Sequence, residues 1–285
     1  MAKVAVVTDS TAYIPRETMD GYPIYSAPLQ LIWGDQTFRD GVDITPTQFY
    51  ERLPQAKVMP TTSQATPAAY MDIYGKLLDE GYEIISIHLS SKLSGTLDSA
   101  IQAKAHYPGA KIALVDSEVT AMALGFQVMA VARAAVQGAS LQECEALAEQ
   151  ARSKIGVLFV VSTLEYLRRG GRIGGAQAFL GTALNLKPIL ELRNGKIEPV
   201  ERVRTMNKAI DRLIDLFEER IGDRRPIRIA SLHAAAPEEA RLLLERTRQR
   251  FSEDEVVETV LSEISPVLGT HTGPGTIGLA YMAGM

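Results

Sequence analysis

With 285 residues, 46% of them hydrophobic and 22% charged, the chain has the apolar content for a sizeable core in one large domain or two moderate ones. A net charge of −4, with no Lys/Arg run interleaved with aromatics, excludes nucleic acid as the main partner. Cys144 stands alone, which excludes an intramolecular disulfide and a cysteine metal cluster and fits a reducing cytoplasm.

Met1 to Val7 is too short for a secretory apolar region and runs straight into Thr8-Asp9. No stretch reaches the ~18 uninterrupted apolar residues of a membrane span; even 119–136 carries Thr120, Gln127 and Arg133. Lys3 to Val7 reads as a buried strand, closed by Thr8-Asp9-Ser10-Thr11 and a helix start at Pro15. Ile24 to Trp33 reads as extended and is turned by Gly34-Asp35. Thr45-Pro46 and Thr66-Pro67 are N-cap-plus-proline signals, the first for a short helix through Phe49, Tyr50 and Leu53, the second for one to about Leu78. Pro60 to Gln64, between them, reads as a polar loop. Glu83 to Leu89 is a buried strand; Ser90, Ser91, Ser94, Gly95 and Thr96 then lead into a helix patterned by Leu97, Ala100 and Ile101. Lys111 to Val115 is the next strand and ends in Asp116-Ser117. The segment 120–136 reads as a helix apolar nearly all round, and Ser140 with Glu143 makes a capping box for another to about Lys154.

Beyond 155 the texture changes, which predicts a boundary there. Gly156 to Ser162 reads as a strand, and Leu164 to Arg169 as a short helix ended by Gly170-Gly171. Leu186 to Leu192 and Ile197 to Val203 flank Asn194-Gly195, a strong signal for an antiparallel hairpin. A helix over about 206–221, a strand over 227–232, a helix over about 237–250 and a strand over 255–261 follow. The tail His271-Thr272-Gly273-Pro274-Gly275-Thr276-Ile277-Gly278 precedes a last apolar run. Strand–helix alternation in the first half predicts a parallel sheet covered on both faces, and such sheets bind ligands outside the carboxyl ends of their strands.

Those ends here are Thr8-Asp9-Ser10, Ser90-Ser91 and Asp116-Ser117, and their hydroxyls suggest a site for an anion or polar headgroup. The alternative is that Ser94 or Thr96 only caps its own helix. Asp9 and Asp116 either cap the following segments or share a Mg²⁺. The tail glycines fit a tight turn that positions His271; a dinucleotide fingerprint there lacks its strand, helix and acid. Ser94 with His271 offers a nucleophile and base, but no third residue is identifiable to orient them. His88 and His106 read as structural, and His233 as near a site. Arg168, Arg169 and Arg172 either dock an anionic ligand or partner or are solvated helix-end arginines.

Together, Thr8-Asp9-Ser10-Thr11, Pro60-Thr61-Thr62-Ser63-Gln64, Leu89 to Ala100, Val115-Asp116-Ser117, Tyr166 to Ile173, Leu186 to Leu190, Val203-Arg204-Thr205 and His271 to Gly275 resemble the DegV family over the whole chain. That family includes the fatty-acid-binding (FakB-type) subunits of bacterial fatty acid kinase. The resemblance implies two α/β domains, 1–155 with a parallel sheet flanked by helices and 156–285 with a mixed sheet, and a ligand tunnel between them. It further implies a long-chain fatty acid whose carboxylate is held at Thr62 and Ser94, with Ser63, Gly95, Thr96 and His271 beside them. A separate kinase subunit then phosphorylates the acid to an acyl phosphate. Arg172 and Arg204 are candidates for partner docking or for the phosphate. No catalytic residue, cofactor or metal is expected, and the protein is placed in the cytoplasm. Gly174-Gly175 departs from the longer side chains that many members carry there. Met122, Phe126 and Met129 either line the tunnel or belong to the core. The rival expectation is a serine hydrolase or acyltransferase using Ser94 and His271; a third is a sensor or regulatory binding module that meets no kinase.

Overall fold

The computed structural model describes residues 3–181 and 186–285, so Met1 and Ala2 of the leading segment lie outside the described residues. In chain order the first half carries β1 (Lys3–Asp9), α1 (Arg16–Met19), β2 (Ile24–Ala27), β3 (Gln30–Trp33), β4 (Gln36–Arg39), α2 (Pro46–Arg52) and β5 (Thr61–Ser63). It continues with α3 (Pro67–Asp79), β6 (Tyr82–His88), α4 (Thr96–Ala105), β7 (Ile112–Asp116), α5 (Ala121–Val136) and α6 (Leu141–Arg152). The second half carries β8 (Ile155–Val160), α7 (Glu165–Arg169), β9 (Lys187–Arg193), β10 (Lys196–Val203) and α8 (Met206–Ile221). After these come β11 (Ile227–His233), α9 (Pro237–Arg248), β12 (Val256–Glu263), α10 (Pro266–Thr272) and β13 (Ile277–Ala283).

The chain is an α/β protein. One sheet, in the order β2-β1-β6-β7, is parallel throughout, and the α3/α4 and α5/α6 pairs pack on it. Its middle strands are buried almost end to end, as cover on both faces requires. The second sheet runs β10-β9-β8-β13-β11-β12 and is mixed, parallel only between β11 and β12. Its hairpin turns at Asn194 and Gly195, both at positive φ, as an Asn-Gly turn demands.

Helix α5 joins the two sheets. It packs against β1 on one side and against β8 and β13 on the other, so a single apolar cluster runs from Val7 through Phe126 to Met282. Met122, Phe126 and Met129 are fully buried in that cluster and do not line the cavity described below. The amide of Gln127 is tolerated inside because its Nε2 donates to the Ala148 carbonyl at 2.7 Å, tying α5 to α6. Helices α8 and α9 bury Leu213, Phe217 and Leu243 in a second cluster with β11 and β13.

Three expectations are corrected. The extended run 24–33 is two strands: β2 joins the parallel sheet, while β3 joins a separate antiparallel sheet of order β4-β3-β5. Residues 60–64 are not simply a loop, because Thr61–Ser63 pairs with β3 and sets Thr62 opposite Leu31. His271 does not sit in the tail turn but in the last turn of α10, which Ser265 caps and Pro266 opens.

Candidate functional site

A cavity lies where the turn after β6, strand β5, helix α10 and the mixed sheet meet, with about 1050 Å³ of empty space counting its mouth. Most of its wall is apolar: Leu89 and Leu93 from the turn, Val157 and Phe159 from β8, and Leu192 and Ile197 from the hairpin. Thr62, Ser63, Gln64, Ser94, Arg172 and His271 supply the polar side chains at issue. An apolar wall with a few convergent polar groups is the usual make-up of a small-molecule pocket.

The turn is held from beneath. Leu89 donates its backbone N–H to Asp9 Oδ2 at 2.9 Å, and the same oxygen lies 3.3 Å from His88 Nδ1 in a fully buried pair. Ser91 donates its hydroxyl to Asp116 at 2.5 Å, and Ser90 donates to the Gly195 carbonyl at 2.8 Å. Lys92 Nζ adds a bond to the Asn194 carbonyl at 2.7 Å. The hydroxyl-rich strand ends therefore bond to one another and to the hairpin tip instead of forming a shared anion site. Asp9 and Asp116 are separated by β6 and serve different partners, which removes the shared Mg²⁺.

Ser94 both lines the cavity and organises its own helix start: its Oγ accepts the Thr96 N–H at 3.3 Å and shares a 2.9 Å hydrogen bond with the Thr96 hydroxyl. Gly95 and Thr96 stand behind the wall. A side chain at 95 would collide with the amide of Gln64, whose Nε2 donates to Ser99 Oγ at 3.2 Å. Gln64 is a wall residue that reasoning from the sequence left unassigned.

Thr62 Oγ1 and His271 Nε2 are 2.8 Å apart. Burial first, and the Arg172 charge second, push the His271 pKa from 6.5 down to about 4, so the ring is neutral at pH 7. Its Nδ1 is buried without a partner. A buried N–H with no acceptor costs more than an empty lone pair, so we assign the proton to Nε2, which donates to Thr62 Oγ1. Gly170 lies against the ring, where any side chain would overlap it.

No nucleophile–base pair forms between Ser94 and His271: Ser94 bonds to Thr96, and His271 is committed to Thr62. Such a depressed pKa also makes His271 a poor base near neutrality. Arg172 donates from Nε to the Leu93 carbonyl at 3.0 Å and from Nη1 to the Gly170 carbonyl at 2.8 Å. Thr62, Arg172 and His271 line a second pocket as well, together with Tyr166, Arg169 and Thr270. Arg168 and Arg169 both pair with Glu165, holding its carboxyl below the usual range, so the three arginines are not one free patch. Arg204 is exposed and lines neither pocket.

Gly174-Gly175 begins a 3-10 turn laid against Ile197 and Glu198 of β10, an approach that side chains would block. His88 is part of the buried Ser86–Asp9 network, and His233 is buried outside the cavity wall. Residues 273–278 link a helix to a strand, the reverse of a dinucleotide fingerprint.

The family model described as "Uncharacterised protein, DegV family" matches residues 3–284. A DegV domain-containing protein of Streptomyces coelicolor is 41% identical over 277 residues, 97% of each chain. Among solved structures, the fatty-acid-binding DegV family protein from Thermus thermophilus superposes with a TM-score of 0.93 at 34% identity, covering 99% of each chain. DegV of Bacillus subtilis, described as a fatty acid binding protein, gives 0.89 at 36% identity, covering 99% of this chain and 100% of that one.

Proposed function

The chain belongs to the DegV family, and from that footing we propose that it binds a long-chain fatty acid between domains 1–155 and 156–285. It presents the carboxylate to a separate kinase subunit, which forms the acyl phosphate, and acts in the cytoplasm without a catalytic residue of its own. The observation that carries this reading is the cavity whose apolar wall ends at the polar trio Thr62, Ser94 and His271.

The energetics divide the work. About fifteen methylenes at about 0.8 kcal/mol each give roughly 12 kcal/mol as an upper bound, before the cost of immobilising the ligand. Desolvating a carboxylate costs several kcal/mol unless its oxygens are hydrogen-bonded. With His271 donating to Thr62, the Thr62 hydroxyl is left to donate toward the ligand. With Thr96 donating to Ser94, the Ser94 hydroxyl is free in the same way. Two hydroxyl donors then meet one carboxylate, while neutral His271 orients the first of them. Arg172, shared by the cavity and the second pocket, adds a positive charge where a phosphoryl group would arrive. Arg204, further out, is assigned to docking of the kinase.

Titration with palmitate tests the reading. The wild-type chain is expected to bind it, and the Thr62→Ala/Ser94→Ala double variant to bind at least tenfold more weakly, at roughly 1.4 kcal/mol per tenfold. Equal affinity in both would remove these residues from the site. Turnover of an activated acyl ester by the purified chain, with labelling of Ser94 by a serine-reactive probe, would favour the hydrolase instead.

A further inference from the structure

Behind the turn that carries Ser94 runs a line of buried polar side chains to which ligand binding assigns no task. Ser86 and His88 stand two apart on β6 and so share one face of the sheet. Tyr70 and Tyr74 stand one turn apart on α3, the helix packed on β6. All four side chains are fully buried, as is Asp9 at the end of β1. The Tyr74 hydroxyl donates to Ser86 Oγ at 2.7 Å, and Ser86 Oγ lies 2.7 Å from His88 Nε2. His88 Nδ1 lies 3.3 Å from Asp9 Oδ2 and 3.2 Å from the Tyr70 hydroxyl. Asp9 Oδ2 also accepts the Leu89 N–H at 2.9 Å, whereas Oδ1 accepts the N–H and hydroxyl of Thr11. Leu89 opens the turn that puts Leu93 and Ser94 in the cavity wall.

We propose that His88 is a positioning residue for the carboxylate site, with Ser86 and Tyr74 behind it. Those two hydroxyls fix which ring nitrogen carries the proton, and the Nδ1–H then holds Asp9 Oδ2 where it anchors Leu89 and the Ser94 turn. The direction of each bond follows from the donors present. Burial first, and for Tyr70 the Asp9 charge second, raise both phenols, so both keep their protons at pH 7. With Tyr74 donating to Ser86, the Ser86 proton turns to His88 Nε2, which accepts it, and the ring carries its own proton on Nδ1. Nδ1 donates toward Asp9, because a carboxylate is a stronger acceptor than the Tyr70 phenol. The reverse tautomer would set the Nδ1 lone pair 3.3 Å from a carboxylate oxygen in a fully buried site, where repulsion is strong. That oxygen would have to move, and Leu89 is bonded to it. The inference rests on the fatty-acid reading for its binding readout but not for its spectroscopic one.

Palmitate affinity is measured at pH 7 for the wild type, Ser86→Ala, His88→Gln and His88→Asn. Alongside it are recorded the ¹⁵N-imidazole NMR signals of His88 and the solvent exchange of the Leu89 amide in the ligand-free protein. The asparagine amide nitrogen is bonded to Cγ as Nδ1 is, so it still donates to Asp9; the glutamine amide lies one bond further out, at the place of Nε2. The wild type is expected to show Nδ1 as the protonated nitrogen. Both His88→Gln and Ser86→Ala should lose roughly fivefold or more in affinity and exchange the Leu89 amide faster, while His88→Asn stays within about twofold of the wild type. Ser86→Ala should also shift the His88 signals toward the other tautomer. Should His88→Gln fail to fold, Ser86→Ala decides, since the proposal requires its tautomer and its affinity to change together. A wild-type ring protonated on Nε2, equal affinities in His88→Gln and His88→Asn, or a Ser86→Ala variant with unchanged signals and affinity overturns the proposal. If the wild type binds no palmitate, the fatty-acid reading fails, and the His88 signals with the Leu89 exchange still decide the role of His88.

Discussion

Replacing Thr62 by valine keeps the shape of the side chain and removes one hydroxyl, so it isolates what that hydroxyl does. Two hydrogen bonds are lost at once. In the complex, the ligand carboxylate loses a donor, and a bond to a charged group is worth about 1.5–3 kcal/mol, which predicts an affinity lower by roughly 10- to 150-fold. In the free protein, His271 Nε2 loses its 2.8 Å partner while Nδ1 already has none. A buried N–H left without an acceptor costs about 1–3 kcal/mol of stability. Fluorescent fatty-acid displacement gives the first quantity, and urea denaturation at pH 7 gives the second. Thr62→Ser retains the hydroxyl and should stay near the wild type in both. If Thr62→Val binds as tightly and unfolds at the same urea concentration as the wild type, the hydroxyl neither holds the ligand nor satisfies His271, and the reasoning fails.

Ser94→Ala should weaken palmitate binding by roughly 10-fold or more through the same loss, while Thr96 retains its place in the helix start; an unchanged Kd would contradict it. The folded pKa of His271 lies below its unfolded value, so the unfolded state binds more protons between about pH 6.5 and about pH 4. Stability contributed there is present above pH 6.5 and lost on acidification, by up to about 3 kcal/mol; His271→Gln should flatten that part of the curve in urea denaturation. Arg172→Ala and Arg204→Ala should both slow kinase-dependent acyl phosphate formation. Arg204→Ala should leave palmitate affinity within about threefold, a difference worth less than about 0.7 kcal/mol, whereas Arg172→Ala should weaken binding as well, because its charge lines the cavity. Unchanged turnover would release both arginines from that role.

Features that depend on neighbours in the chain were readable without a structure. The caps at Thr45, Thr66 and Ser140 stand where their spacing places them. So does the Asn194-Gly195 hairpin, because two residues set that geometry. Strand β5 was hidden because three polar residues carry no alternation; its pairing partner lies about thirty residues away in the chain. Helix α10 carried a hydroxyl-then-proline signal at 265–266 like those at Thr45-Pro46 and Thr66-Pro67, but the glycines after it drew attention to a turn. The residues alone identified the Ser94 turn as polar, and that turn does line the cavity. They also drew in Asp9 and Asp116, whose carboxylates are spent on the turn's own hydrogen bonds. The Thr62–His271 contact spans 209 positions, so only the family resemblance brought the two together before the fold did. Gln64 reaches the wall by lying across Gly95, a contact between two loops that no local pattern announces.

The most direct test of the central claim is native mass spectrometry of the purified chain, followed by organic extraction of whatever it carries. The account predicts a one-to-one complex whose excess mass matches a long-chain fatty acid recovered in the extract. A chain that flies bare, yields no fatty acid on extraction and takes up none when palmitate is added would contradict it.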